Sequence, residues 1–150
     1  MFLVSKCLLG YIVRYNGKTV KFPYADLLLD LERESKILTV CPELMGGLLV
    51  PREPAEILGG DGAEVWGNKA QVMTKSGINV TENFKQGALK VLALARRYQI
   101  TTAIFMEKSP SCGVNFIYDG SFQGKLIRGR GVTTALLQTR GIKVFSSQDI

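Results

Sequence analysis

The sequence predicts a single α/β domain: a three-layer, Rossmann-like or flavodoxin-like fold around a mainly parallel central sheet. Three observations lead there. Short apolar runs alternate with segments whose apolar residues recur at helical spacing, the order that builds a parallel sheet covered by helices. The chain has 150 residues, the size of one ordinary domain and enough to bury its own core. Hydrophobic residues make up 46% and charged residues 21%, close to average globular usage and unlike a disordered composition.

Phe2–Ser5 is a short run suited to a buried first strand. Asn16-Gly17 marks a turn, read as an extra hairpin or an ordered loop. Tyr24, Leu27, Leu28 and Leu31 fall at helical spacing, with Pro23 at the expected first helical position. Ile37–Val40 reads as a second buried strand, followed by a Gly- and Pro-rich stretch from Pro42 to Gly62. Ala63–Trp66 and Lys69–Thr74, joined by Gly67-Asn68, read as a small hairpin. Thr81 is placed to cap a helix whose apolar face is Phe84, Ala88, Val91, Leu92 and Ala95. Thr101–Met106 is the third strand, and Asp119-Gly120 turns the loop-rich segment after it. Thr133–Arg140 is the last helix, closed by Gly141, and Ile142–Phe145 is the fourth strand.

The residue inventory restricts the chemistry. With no histidine, Ser-His-Asp triads, Cys-His pairs and His-ligated metals are all excluded. The net charge of +6 comes from dispersed basic residues with no aromatic-interleaved tract, so no stable nucleic-acid partner is expected. The apolar start, MFLVSKCLLGYIV, lacks a basic leader and is interrupted by Lys6, which argues against a signal peptide. No apolar window is long enough for a membrane span. Three cysteines cannot form a fully paired disulfide framework, and a reducing cytoplasm is the expected location. Gly129-Arg130-Gly131 before the last helix is either an anion pocket or a tight turn, and it matches neither GxGxxG nor a P-loop.

The cysteines share a placement. Cys7 follows the first strand, Cys41 the second, and Cys112 lies in the loop after the third. In open α/β sheets the carboxyl ends of the strands border the ligand crevice. Pro42 after Cys41, and Pro110 and Gly113 around Cys112, are residues that fix or free backbone angles. Three thiolates leave a structural zinc site one ligand short, but suit an iron–sulfur cluster with one open iron. Inert buried cysteines, or a thiolate nucleophile activated by Lys6 or a helix terminus, are the competing readings.

The motifs Ser5-Lys6-Cys7-Leu8-Leu9-Gly10, Val13-Arg14-Tyr15, Cys41-Pro42-Glu43, Gly46-Gly47-Leu48 and Pro51-Arg52 occur in that order. Lys108-Ser109-Pro110-Ser111-Cys112-Gly113, Asp119-Gly120 and Gly131-Val132-Thr133 complete the set. Across essentially the whole chain this resembles a family of small bacterial proteins first described as a domain of unknown function, whose characterised members are thiouracil desulfidases. The resemblance implies a [4Fe-4S] cluster held by Cys7, Cys41 and Cys112, with Glu43 and Ser109 assisting catalysis. It implies a thiolated uracil base or nucleotide as substrate, its sulfur taken by the free iron and replaced by water without net redox change. The family often carries Asp-Gly where this chain has Asn16-Gly17, a departure in a loop. Residue chemistry agrees with these roles: without histidine, Glu43 is the natural proton carrier, Ser109 a hydrogen-bond donor, and Ser111 a loop-ordering hydroxyl. Two alternatives use the same thiols: a non-catalytic iron–sulfur or metal-binding sensor or assembly module, and a cysteine-nucleophile enzyme.

Overall fold

The computed structural model describes residues 1–150. In chain order its elements are β1 (Phe2–Ser5), α1 (Ala25–Arg33), β2 (Ile37–Val40), α2 (Pro42–Met45), β3 (Ala55–Leu58), α3 (Gly62–Trp66) and β4 (Gln71–Thr74). They continue with α4 (Thr81–Arg97), β5 (Thr102–Phe105), β6 (Phe116–Tyr118), β7 (Leu126–Arg128), α5 (Val132–Thr139) and β8 (Lys143–Ser146). The central sheet runs β2-β1-β5-β8, every pair parallel. From β1 the chain winds first to one side and then to the other. The β1–β5 boundary is therefore a switch point, where a crevice opens beyond the strand ends.

Alternation along the strands separates two cores. Leu3, Ala103, Phe105 and Val144 face Phe84, Val91, Leu92, Val132 and Leu137 of α4 and α5. Val4 and Ile37 face the other way, against Leu28 of α1 and Leu8 and Leu9 of the turn after β1. The result is the expected three-layer α/β fold, although the layers are unequal: 22 buried residues form the first core and 5 the second. The predicted stripe on α1 is correspondingly narrow. Leu28 is buried and Leu31 half-buried, but Tyr24 and Leu27 are exposed, because α1 has only β2 and the 6–9 turn to lie on. Pro23 precedes the N-cap residue Tyr24 and so stands outside the helix.

The expected hairpin at Ala63–Trp66 is a helix instead. Asp61 caps α3 by accepting from the Ala63 amide at 2.9 Å, and the Glu64 carboxylate reaches back to the Asp61 amide at 3.4 Å. This Asp-x-x-Glu capping box satisfies the helix start locally, leaving β4 to pair with β3, hidden in the Gly- and Pro-rich stretch. Thr81 is not a cap either. It is the first residue of α4, after N-cap Val80, and its hydroxyl accepts from the Val72 amide at 2.9 Å. The buried face of α4 contains all five residues expected of it. Asn16-Gly17 forms an ordered turn, with the Gly17 amide donating to the Arg14 carbonyl, and no hairpin follows.

One packing contact sets where the site lies. A Cβ on Gly46 would fall 2.0 Å from the Asn83 carbonyl oxygen, and one on Gly87 2.0 Å from that of Pro42. Backbone meets backbone there, so α2, which begins directly after Cys41, is held against α4 at a spacing only glycine permits.

Candidate active site

Cys7 lies in the 3-10 turn at Lys6–Leu9, reached as β1 ends. Its thiol donates to the Met106 thioether sulfur at 3.2 Å. Cys41 directly follows β2 and is the N-cap residue of α2. The amides of Leu44 and Glu43 point at its sulfur and favour the thiolate, although burial outweighs them and pushes the thiol up. The Cys41 Sγ also stands 3.9 Å from the Val13 carbonyl oxygen. Cys112 is buried in the loop after β5. Its amide donates to Ser109 Oγ at 3.1 Å, and its carbonyl accepts from Thr134 Oγ1 at 3.0 Å.

The three sulfurs share one cavity of about 380 Å³, within the usual range for a small-molecule site. They also sense one another. Burial raises the Cys7 thiol to about 12, with the charge of Cys41 adding to it. Cys112 is raised well above the ordinary thiol value by burial, then by Cys7 and Cys41. Three acidic protons in so small a volume cannot all leave unless a cation compensates. No trio of His, Cys, Asp or Glu side chains closes around a point as a single ion requires. Three thiol donors set around a cavity, with no fourth cysteine and no histidine to complete a zinc tetrahedron, match the corners of an iron–sulfur cluster better than a closed zinc site.

Glu43 and Ser109 border the same cavity. The Glu43 carboxyl is pushed above the ordinary carboxylate value by burial, opposed by the guanidinium of Arg52 and by the hydroxyl of Ser109. Ser109 Oγ accepts from the Ser111 amide at 3.0 Å as well as from that of Cys112. With both lone pairs used, its hydrogen is left to donate, and Glu43 is the acceptor it faces. Ser111 is fully buried, its hydroxyl 2.8 Å from that of Thr133, so it orders the loop.

Three participants escaped the sequence reading of the site. Arg52 donates from Nε to Glu43 Oε1 at 3.3 Å, from Nη1 to the Leu49 carbonyl at 3.0 Å and from Nη2 to that of Val13 at 3.0 Å. Buried Glu107 accepts on Oε1 from the amides of Val114 (2.7 Å), Asn115 (2.9 Å) and Phe116 (3.1 Å), staples for the Cys112 loop. Buried Glu56 likewise accepts from the amides of Gly120 and Phe122, which fixes the loop that brings Phe122 to the cavity. Only Arg52 had a signal, its place in the Pro51-Arg52 motif. The Gly129-Arg130-Gly131 segment is neither the tight turn nor the anion pocket expected of it: it runs on from β7 without a turn and reaches α5 with Gly131 extended. The first amides of α5 are spent on the carbonyls of Pro110 and Ser111, and the Arg130 amide on Asp61.

Comparison with known proteins agrees with this architecture. The uncharacterized protein YbbK of Bacillus subtilis (strain 168) is 47% identical over 150 residues, covering 100% of this chain and 97% of its own length. The solved structure of TudS, a [4Fe-4S]-dependent thiouracil desulfidase, superposes with a TM-score of 0.86 at 42% identity, covering 99% of this chain and 91% of that one. The family model for 2-thiouracil desulfurase matches residues 2–149, and the chain belongs to that family.

Proposed function

We propose that this chain is a [4Fe-4S]-dependent, non-redox desulfidase that removes sulfur from a thiolated uracil, as free base or nucleotide. The observation that carries the reading is the meeting of Cys7, Cys41 and Cys112 with Glu43 and Ser109 in one cavity at the strand ends. The three cysteines would hold the cluster, which supplies a Lewis-acidic iron with an open coordination position for the substrate sulfur. The net change balances without electrons: water enters, C=S becomes C=O, and hydrogen sulfide leaves.

The protein's own groups then have definite tasks. Glu43, its carboxyl pushed above the ordinary value by burial yet paired with Arg52, takes a proton from the incoming water and returns one to the departing sulfide. Ser109, its hydrogen free to donate, orients the carboxylate or the substrate heteroatom. Cationic Arg14, Lys75 and Lys108 also border the cavity, a lining that suits an anionic nucleotide as well as a neutral base. The nucleophile alternative fares poorly, because a reactive thiolate needs a depressed pKa and burial drives all three thiols upward. Three free thiols suit a reducing cytoplasm, and no helix is long and apolar enough to cross a membrane.

Anaerobic reconstitution should load about four irons per chain, and the loaded protein should release sulfide from thiouracil or thiouridine monophosphate. Glu43→Gln should keep its iron while the turnover rate falls about 10²- to 10⁴-fold. A fully loaded chain that releases no sulfide from either compound overturns the reading; an unaffected Glu43→Gln protein removes Glu43 from it.

A further inference from the structure

We propose that Arg52 is a positioning residue for this reaction, holding the Glu43 carboxylate and the Val13 backbone at fixed places on the cavity rim. The proposal rests on the desulfidase reading for its catalytic half. Arg52 has a side chain only 9% exposed, and its donors reach three separate segments: Glu43 on α2, Leu49 in the following loop, and Val13 in the loop after β1. Its own amide adds a fourth tie, to the Tyr15 carbonyl at 2.7 Å. A planar guanidinium fork can satisfy three acceptors at set angles, whereas a lysine ammonium on its flexible stem cannot reproduce that geometry.

What these ties hold matters more than their number. Val13 O also accepts from Cys41 Sγ at 3.9 Å, and its neighbours Arg14 and Tyr15 border the cavity. The Val13 side chain is buried, but the remaining backbone bonds of the Val13–Tyr15 segment are short turn contacts, Val13 to Tyr11 and Gly17 to Arg14. Without Arg52, Glu43 keeps Ser109 as partner but loses its cation, and the Val13 and Leu49 carbonyls lose the guanidinium. One side chain thus couples the orientation of the carboxylate to the shape of the substrate wall.

The test is a double-mutant cycle on reconstituted protein, with hydrogen exchange as the second readout. Arg52→Gln should keep the full iron content and lower kcat about 10- to 100-fold, the usual cost of removing an outer-shell partner, and Arg52→Lys should recover part of it. In a Glu43→Gln background the same Arg52→Gln change should alter kcat by less than about threefold, since its target is already gone. Exchange at the Val13 and Gly17 amides should rise at least about tenfold in Arg52→Gln. An unchanged kcat, or a loss just as large in the Glu43→Gln background, overturns the catalytic half. Unchanged exchange overturns the loop half. Exchange needs no turnover, so a wild-type protein that releases no sulfide refutes the desulfidase reading separately and leaves the loop half still decided.

Discussion

The cavity has one wall that is fastened throughout and another that hangs on few ties. On the fastened side, the loop from Glu107 to Gly113 is stitched to the start of α5. The Val132 and Thr133 amides donate to the Pro110 and Ser111 carbonyls at 2.7 and 2.9 Å, and Thr134 Oγ1 holds the Cys112 carbonyl. Ser111, Thr133 and Thr134 are completely buried. On the other side, the loop after Gly10 buries Val13 but leaves Ile12 62% exposed, and the hydrogen bonds that tie it to the body come from Arg52, from Cys41 Sγ to the Val13 carbonyl, and from the Tyr11 hydroxyl, donating to Glu32 at 2.8 Å. The difference fits what the proposed function would ask of each wall. A loop that is to offer Cys112 to a cluster would have to be in place before the metal arrives, and buried bonds preorganise it. A wall against which substrate would enter and product leave would tolerate, and use, weaker local stability.

The most severe way to break the fastened wall is at Gly131. A Cβ there would lie 2.3 Å from the Ser111 carbonyl oxygen and 2.8 Å from the Cys112 amide nitrogen. Both are backbone atoms with no flexible end to retreat, so Gly131→Ala must separate the loop from α5 and carry Cys112 with it. Destabilisation of about 3 kcal/mol is expected, together with loss of iron on reconstitution. Urea midpoints and iron content measure the two effects. A midpoint that does not move would show that this wall is no firmer than the other.

Glu107 tests the same wall through pH. Burial raises its pKa, but the amides of Phe116, Asn115 and Val114, with the Ser146 hydroxyl, outweigh burial and hold the carboxyl below its ordinary 4.5. A folded-state pKa below the unfolded one means that the contribution is present above the unfolded value and is lost as pH falls through the folded value. Glu107→Gln keeps the shape but weakens the acceptor, at a cost of about 1.5 to 3 kcal/mol near neutrality. As the pH falls from neutrality through 4.5 and below, the gap between wild type and variant should narrow, because only the wild type is losing a charged acceptor. Melting temperatures across that range decide it; a constant gap would mean that the carboxylate charge plays no part in holding the loop.

The contrast between the walls also explains what could be read from the sequence. Phe2–Ser5 and Ile37–Val40 have the bounds expected of them, because buried parallel strands are short apolar runs with few competitors. The cysteines were legible as strand-end residues, and strand ends are positions that topology brings together. At α3 the Gly67-Asn68 pair is a hairpin signal, whereas the Asp61-x-x-Glu64 box satisfies a helix start and makes the segment helical. The fastening of the Cys112 loop was invisible for another reason. Glu107 as a sequence letter is an ordinary surface carboxylate, and its burial follows only once three successive amides turn toward it. Arg52 reaches Val13 across 39 positions of chain, a separation that no local pattern reports.

The mildest probe belongs to the loosely held wall. Asn16 Oδ1 accepts from the Lys18 amide at 3.0 Å, which an aspartate carboxylate does equally well. Asn16→Asp, which restores the family's Asp-Gly, should therefore shift stability by no more than about 0.5 kcal/mol. It adds one negative charge to the turn that follows Arg14 and Tyr15, so its effect should fall on an anionic substrate. KM for a thiolated nucleotide should rise by less than about threefold and weaken further with added salt, while KM for the neutral base stays put. Steady-state kinetics with both substrates separates the cases. If kcat instead fell tenfold for both, this turn would be coupled to the reacting centre as tightly as the Cys112 loop, and the distinction between a firm wall and a yielding one would not hold.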